Sequence, residues 1–282
     1  MLIASRTMDE PQDTPHETDP ARSFGQVADA YDRARPSYPT EATEWMVDRP
    51  RARVLELGAG TGKLTEQLVT LGHRVLATDP SAPMLKRLQG RVRKARVAQA
   101  TAESIPMASR SVDIVVCAQA FHWFDHEQAL PEIARVLRPG GVLALVWNER
   151  DVRIPWVRRL GDLIGPADKE NEPTPTIEES DLFEGVETKT FRFWQPLTPE
   201  LLRDMVLSRS NIAVLKQTER ARVLHKVDEL YDEYGRGADG MLLPYVTRAF
   251  RATVKPRQPA PDDTVAVGPD DLDTDSLLID FR

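Results

Sequence analysis

Apolar residues fall in two rhythms along the first half of the chain. Short Val-, Leu- and Ala-rich runs, RVLEL (53–57), RVLAT (74–78), ARVAQA (95–100), VDIVVCA (112–118) and GVLALVW (141–147), have the length and continuity of strands buried on both faces. Between them, residues 62–71, 82–90 and 126–138 repeat apolar positions at helical spacing. The last of these meets Arg138-Pro139-Gly140-Gly141, a helix stop placed before a new strand. Further helical patterns cover 24–33 and 40–48. Strands that alternate with helices predict a parallel sheet with helices on both faces.

The second half is less regular. DVRIPWVRRLGDLIG reads as a helix, GPADKENEPTPTIEES as a polar loop, and VETKTFRFW (186–194) alternates as a half-buried strand does. TPELLRDMVLS and a long run from about Asn211 to Tyr234 read as helices, and PYVTRAFRATV as a closing strand. Two strands added to five make a seven-stranded sheet.

Composition sets the boundaries. Residues 1–22 carry five acids against two bases and residues 256–282 seven against two, with Pro scattered through both, so both are expected to be disordered acidic tails. The net charge of −7 belongs to them: residues 23–255 hold 32 acids and 33 bases and are expected to form a near-neutral single domain with a regular first half (50–150) and a closing half (151–255). That balance gives no global attraction to nucleic acid. Cys117 is the sole cysteine, which excludes an intramolecular disulfide and a Cys-rich zinc site. With no secretory signal and no apolar run of roughly 18 residues, a cytoplasmic protein without a membrane span is expected.

Chemistry concentrates at Glu56-Leu57-Gly58-Ala59-Gly60-Thr61-Gly62, which ends a strand and opens a helix. Glycines there let the backbone turn sharply and come close to a ligand. A dinucleotide fingerprint spaces them Gly-x-Gly-x-x-Gly against a pyrophosphate. Here the spacing is Gly-x-Gly-x-Gly, Lys63 stands at the third-glycine position, and the preceding Glu56 suits a cationic ligand better than a pyrophosphate. Asp79 ends the second strand, where a carboxylate can accept both hydroxyls of a ribose. The competing reading has Asp79 merely capping the next helix, a task for which Ser81 is the better candidate.

These segments resemble the class I S-adenosylmethionine-dependent methyltransferases. LELGAGTG is similar to their first motif, TDPSAPML to the acidic-strand motif, TAESIPMASRSVDIVVCAQAFHWF to the adenine and strand-four segment, and LPEIARVLRPGGVLALVWN to the motif that follows. Tyr31-Asp32-Arg33-Ala34-Arg35-Pro36-Ser37-Tyr38-Pro39 and the FHWF box bring the resemblance closer to small-molecule enzymes of the trans-aconitate and ubiquinone/menaquinone-biosynthesis type. The resemblance implies a Rossmann-like α/β fold of seven mostly parallel strands, the last antiparallel, under an N-terminal helical lid. It implies S-adenosyl-L-methionine as cofactor, held by Glu56, Gly58, Ala59, Gly60, Thr61, Gly62 and Asp79, with Ala102 and Glu103 at the adenine edge and Gln119 near the methionine part. Tyr31, Arg35 and Tyr38 of the lid would reach the acceptor.

Methyl transfer requires a nucleophile aligned with a sulfonium, and a base only when the acceptor is a hydroxyl, a carbon or a protonated amine. His122 is the candidate base, although its place between Phe121 and Trp123 also suits a packed aromatic box. Trp123 and Trp147 are candidate substrate contacts, with core packing the competing account of Trp147. His126 follows His122 by four residues, but without an adjacent Glu it makes no zinc motif, so no metal is expected. Asp125 is placed to cap the helix bearing His126, which Pro131 should kink or delay. Ser208-Arg209-Ser210-Asn211-Ile212 has no assignable task. The expectation is methyl transfer to a small-molecule acceptor such as an organic acid. Its rivals are a non-catalytic S-adenosylmethionine or S-adenosylhomocysteine binder, a nicotinamide-dependent oxidoreductase and a nucleic-acid methyltransferase. The last lacks its Asn/Asp-Pro-Pro-Tyr/Trp motif, with Ala118-Gln119-Ala120-Phe121 in that place.

Overall fold

The computed structural model describes residues 32, 34–165, 172–235, 237 and 240–256. The strands are β1 (Arg53–Leu57), β2 (Arg74–Asp79), β3 (Arg96–Gln99), β4 (Val112–Ala118), β5 (Leu137–Arg150), β6 (Phe183–Leu197) and β7 (Met241–Val254). They form one sheet in the order β3-β2-β1-β4-β5-β7-β6. The first five pair in parallel, and β7 runs antiparallel to β5 and β6. The seven strands, their direction and the antiparallel last strand are as the sequence and its resemblance led us to expect.

The period of two explains why the central strands are mostly apolar on both faces. Leu55, Leu57, Val115, Cys117, Leu143 and Leu145 face one core cluster, together with Ala129, Leu130 and Ile133 of α4 (His126–Val136). Their neighbours Val54, Ile114, Val116, Ala144 and Val146 face the other, against α1 (Thr40–Met46), α2 (Lys63–Thr70) and α3 (Ala82–Arg91). Both faces are covered, so the strand interiors are apolar except where a buried polar group such as Glu56 or Thr78 finds a hydrogen-bond partner. Burial also silences Cys117, whose thiol is pushed up in pKa mainly by desolvation.

A third cluster joins α5 (Pro155–Ile164), α7 (Pro199–Leu207) and α9 (Gln217–Tyr234) to the start of β7 through Leu160, Val206, Leu230, Leu243 and Tyr245. Several expectations change here. The polar loop contains α6 (Thr174–Glu179), a short helix that forms because Ile177 is buried against the sheet and Pro175 sits in the tolerant first turn. The run from Asn211 to Tyr234 is two helices, α8 (Ser210–Ala213) and α9, separated at an extended Lys216. β5 outruns its apolar segment at both ends. Leu137 pairs with Val112 before a bulge that absorbs Arg138–Gly141, and the long antiparallel partner β7 carries the pairing on to Arg150. Pro131 neither delays nor splits α4, which starts at His126 with Asp125 as its cap; the Asp125 side chain accepts from the Glu127 N–H at 3.1 Å.

The tails expected at 1–22 and, apart from Pro256, 256–282 lie outside the described residues, as does the 24–33 helix apart from Asp32. No described helix is long and apolar enough to cross a membrane.

Candidate active site

The chain runs outward from β1 to β2 and β3, then crosses back to β4 beside β1. Such a reversal opens a crevice at the carboxyl ends of the strands, and that is where the glycine loop stands. Gly58 and Gly62 have φ of +67° and +86°, and a Cβ on either would stand 2.6 Å from Ala120 Cβ or Leu88 Cγ respectively. These two glycines are therefore required by the fold itself. At Gly60, by contrast, nothing lies within 4 Å of where a Cβ would be, and this open side borders the crevice. The Ala59 N–H donates to the Thr78 carbonyl at 2.9 Å, tying the loop to β2.

Asp79 ends β2 and is 8 % exposed. One carboxylate oxygen accepts from the Gly60 N–H at 2.9 Å and the other from the Ser81 N–H at 2.8 Å. Ser81 holds the N-cap position of α3, so Asp79 steadies the loop and the helix start rather than capping the helix itself. Each of its oxygens keeps further acceptor capacity. Glu56 lies deeper, 1 % exposed, and accepts from Thr65 Oγ1 at 2.6 Å. Burial pushes its pKa up to about 8, opposed by the Thr65 bond and reinforced by the nearby negative Asp79.

These residues wall a cavity of about 400 Å³. Glu56, Gly58, Ala59, Gly60, Thr61 and Asp79 form one side; Pro80, Met84 and Phe124 give an apolar stretch; Arg35, Tyr38 and the 80 % exposed Trp123 stand around it. Gln119 closes the β4 side in a left-handed conformation, φ +57°, unusual for a residue with a side chain, and its N–H is fixed to the Val146 carbonyl at 2.9 Å. A smaller cavity of about 50 Å³ adjoins, sharing Arg35, Pro36 and Gln119 with the first.

Other expected residues stand apart. Gly62 lies under the loop over Leu88. Ala102 is in the core and the Glu103 carboxylate accepts from the Asp125 N–H at 3.0 Å; neither lines the cavity. His122 is exposed, its ring 4.9 Å from that of Trp123, and borders neither cavity. The Trp147 ring packs edge-on against Phe121 and Phe250 in the core, and the residue reaches only the smaller cavity. His126 is held by Phe121, whose carbonyl lies 2.9 Å from its Nε2. Tyr31 lies outside the described residues.

Three further features were not evident from the sequence. Asp32 takes bonds from Thr61 Oγ1 and from the Arg91 guanidinium, fastening the segment before α1 onto the glycine loop. Burial works to raise its pKa, but the bonds from Arg91 and Thr61 outweigh this and hold it below the usual carboxylate value. Asn148 joins the same segment to β5, donating to the Ser37 carbonyl at 3.1 Å while accepting from Thr247 Oγ1 at 2.6 Å. Asn211, in the stretch without an assigned task, donates to the Ile164 carbonyl at 3.1 Å and so anchors the chain that brings Ser208 and Arg209 to the smaller cavity. That stretch was visible in the sequence; its partner at the end of α5 was not.

Comparison with known proteins gives this geometry its context. Residues 55–145 match the family model described as a methyltransferase domain. An uncharacterised methyltransferase of Mycobacterium tuberculosis is 44 % identical over 238 residues, covering 84 % of this chain and 97 % of that protein. An uncharacterised methyltransferase-like protein of Schizosaccharomyces pombe is 36 % identical over 242 residues, 82 % of this chain and 94 % of that one. The crystal structure of the Bacillus subtilis YcgJ protein, at 20 % identity, shares the fold with a TM-score of 0.51 over 78 % of this chain and all of that one. Since the matched domain runs from β1 through the glycine loop and Asp79 to Gln119 and β5, and the likeness extends over nearly the full length of its relatives, this chain belongs to the class I S-adenosylmethionine-dependent methyltransferases.

Proposed function

We propose that the larger cavity holds S-adenosyl-L-methionine and that the adjoining smaller one admits part of a small-molecule acceptor. The observation that carries this reading is Asp79. It is a nearly buried carboxylate, oriented by two backbone N–H groups, with acceptor capacity to spare at the end of β2. Such a group selects a ligand with paired hydroxyls. Gly60 leaves space beside it, and Pro80, Met84 and Phe124 offer an apolar surface for a purine ring. Glu56 favours a positively charged ligand part over a pyrophosphate. When bound, the cofactor supplies an electrophilic methyl group on a sulfonium. The chain's contribution is alignment: Gln119, its N–H held by the Val146 carbonyl, lines both cavities.

Thermal unfolding with S-adenosylhomocysteine, S-adenosylmethionine and NAD(H) in parallel tests the reading. A ligand at 100 times its dissociation constant stabilises by about 2.7 kcal/mol. Stabilisation by the adenosyl compounds alone is expected; stabilisation by NAD(H) alone refutes it. A binder without catalysis would bind S-adenosylmethionine yet transfer no labelled methyl group to any small-molecule acceptor.

A further inference from the structure

The stretch from Pro80 to Ala102 holds six bases, Lys86, Arg87, Arg91, Arg93, Lys94 and Arg96, and no acid. Arg91 is taken by Asp32, whereas Lys86, Arg93, Lys94 and Arg96 are exposed. Parallel pairing brings them beside bases of the neighbouring strands. Arg96 opens β3 in register with Leu76 of β2, two residues beyond the exposed Arg74. The Arg74 N–H donates to the Ala52 carbonyl at 2.9 Å, next to the exposed Arg51. The amino ends of β1, β2 and β3 thus form a basic face, opposite to the crevice at their carboxyl ends. Acids at this end are engaged elsewhere: Asp113 lies 3.4 Å from Arg53 and 3.1 Å from Arg138, and Asp48 lies 3.0 Å from Arg251. Among the described residues, no ion pair reaches Arg51, Arg74, Arg93 or Lys94.

β7 finishes at this same end of the sheet. Thr253 pairs with Val142 of β5, Val142 with Ile114 of β4, Ile114 with Val54 of β1, and Val54 with Val75 of β2. These residues lie on one level, and because β7 is antiparallel, Val254 comes out beside the amino ends of the parallel strands. Five strand spacings of roughly 4.8 Å separate β7 from β3, about 24 Å in all. Residues 258–281 hold seven acids and no base. Four of the acids, Asp270, Asp271, Asp273 and Asp275, fall within six residues. Asp270 stands 14 residues past Pro256, a length of chain that can bridge up to about 46 Å. The other acidic stretch is less suited. Residues 1–22 set two bases against their five acids, and they lead to Asp32, which is bonded to the glycine loop at the opposite end.

We propose that Asp270, Asp271, Asp273 and Asp275 dock within the same chain on this basic face, against Arg74, Arg93 and Lys94. Charge complementarity and reach select the occupant, and the tether gives it a high effective concentration. Exposed ion pairs are individually weak and screened by salt, so the docking is reversible. It withholds the basic face from other polyanions, which a near-neutral domain would not repel. The face lies away from the cavities, so the inference does not depend on the function proposed above.

The test is carbodiimide coupling of the full chain at low ionic strength, which joins a lysine amine to a carboxylate in contact with it, followed by peptide mass spectrometry. Lys94 or Lys86 should be linked to the 270–275 segment, and mixing isotope-labelled with unlabelled chains should show the link to lie within one chain. The link should vanish near 1 M salt, where screening acts over about 3 Å. Arg74→Gln combined with Arg93→Gln should lower its yield severalfold while leaving Lys94 in place. Asp270→Asn, Asp271→Asn, Asp273→Asn and Asp275→Asn together should raise affinity for a single-stranded oligonucleotide by roughly tenfold, as removal of a tethered competitor does, and leave S-adenosylhomocysteine affinity unchanged. Absence of a Lys94 or Lys86 link, or links spread equally over the exposed Lys189, Lys216 and Lys226, would overturn the proposal. Links between differently labelled chains would make the occupant a second copy and overturn it too. An oligonucleotide that binds the wild-type and neutralised chains alike, or neither of them, would show that the segment does not cover the face.

Discussion

Asp79→Asn separates a ligand-binding carboxylate from a structural one. The wild-type side chain accepts from the Gly60 N–H at 2.9 Å and the Ser81 N–H at 2.8 Å, one on each oxygen. Asparagine keeps a single acceptor oxygen, so one of those N–H groups faces an amide NH₂ and loses its partner. Leaving a buried donor unsatisfied costs about 1–3 kcal/mol, which sets the expected fall in folding stability. The ligand loses more specifically, since a hydrogen bond to a charged group contributes about 1.5–3 kcal/mol. At 8 % exposure, water replaces little of it. The dissociation constant for S-adenosylhomocysteine should therefore rise by about ten- to a hundredfold. Calorimetry measures this, with circular dichroism confirming that the variant is folded. A folded variant with unchanged affinity would refute the argument and leave Asp79 as a clamp between loop and helix.

Other outcomes follow from the same geometry. Gly62→Ala must place a Cβ 2.6 Å from Leu88 Cγ at φ +86°; left-handed strain and overpacking together should cost about 2–5 kcal/mol, read as a lowered midpoint in denaturant. Glu56 keeps its proton up to about pH 8 in the folded protein, whereas the unfolded chain releases it near the ordinary carboxylate value. Its contribution to stability therefore falls as pH rises between those two values. The melting temperature of Glu56→Gln should rise relative to wild type over that window, and parallel curves would contradict the burial argument. A cation beside Glu56 favours the ionised form, so S-adenosylmethionine binding to wild type should release protons that the Glu56→Gln variant does not, detectable as a buffer-dependent binding enthalpy. His122→Ala should leave S-adenosylhomocysteine affinity within about twofold, as for an exposed residue that does not line the larger cavity; a tenfold loss would contradict that placement.

Much of this protein is determined locally. Strands buried on both faces are apolar over most of their length, so β1, β2 and β4 can be read without knowing their neighbours. Gly58 and Gly62 are local as well, because the turn from β1 to α2 demands positive φ whatever is bound. Spacing from the loop to Asp79 sets the carboxylate at the next strand end. What the sequence left open depends on residues far apart in the chain. Arg150, Arg209 and Tyr245 line one cavity only when β5 pairs with β7 and Asn211 is bonded to the end of α5. Sequence alone could not say how His122 and Trp147 are turned: His122 is exposed beside Trp123, and Trp147 packs its ring in the core while the residue still lines the smaller cavity. Local chain geometry thus specifies the glycine loop, whereas the smaller cavity is assembled from elements whose meeting is decided by long-range burial and strand register.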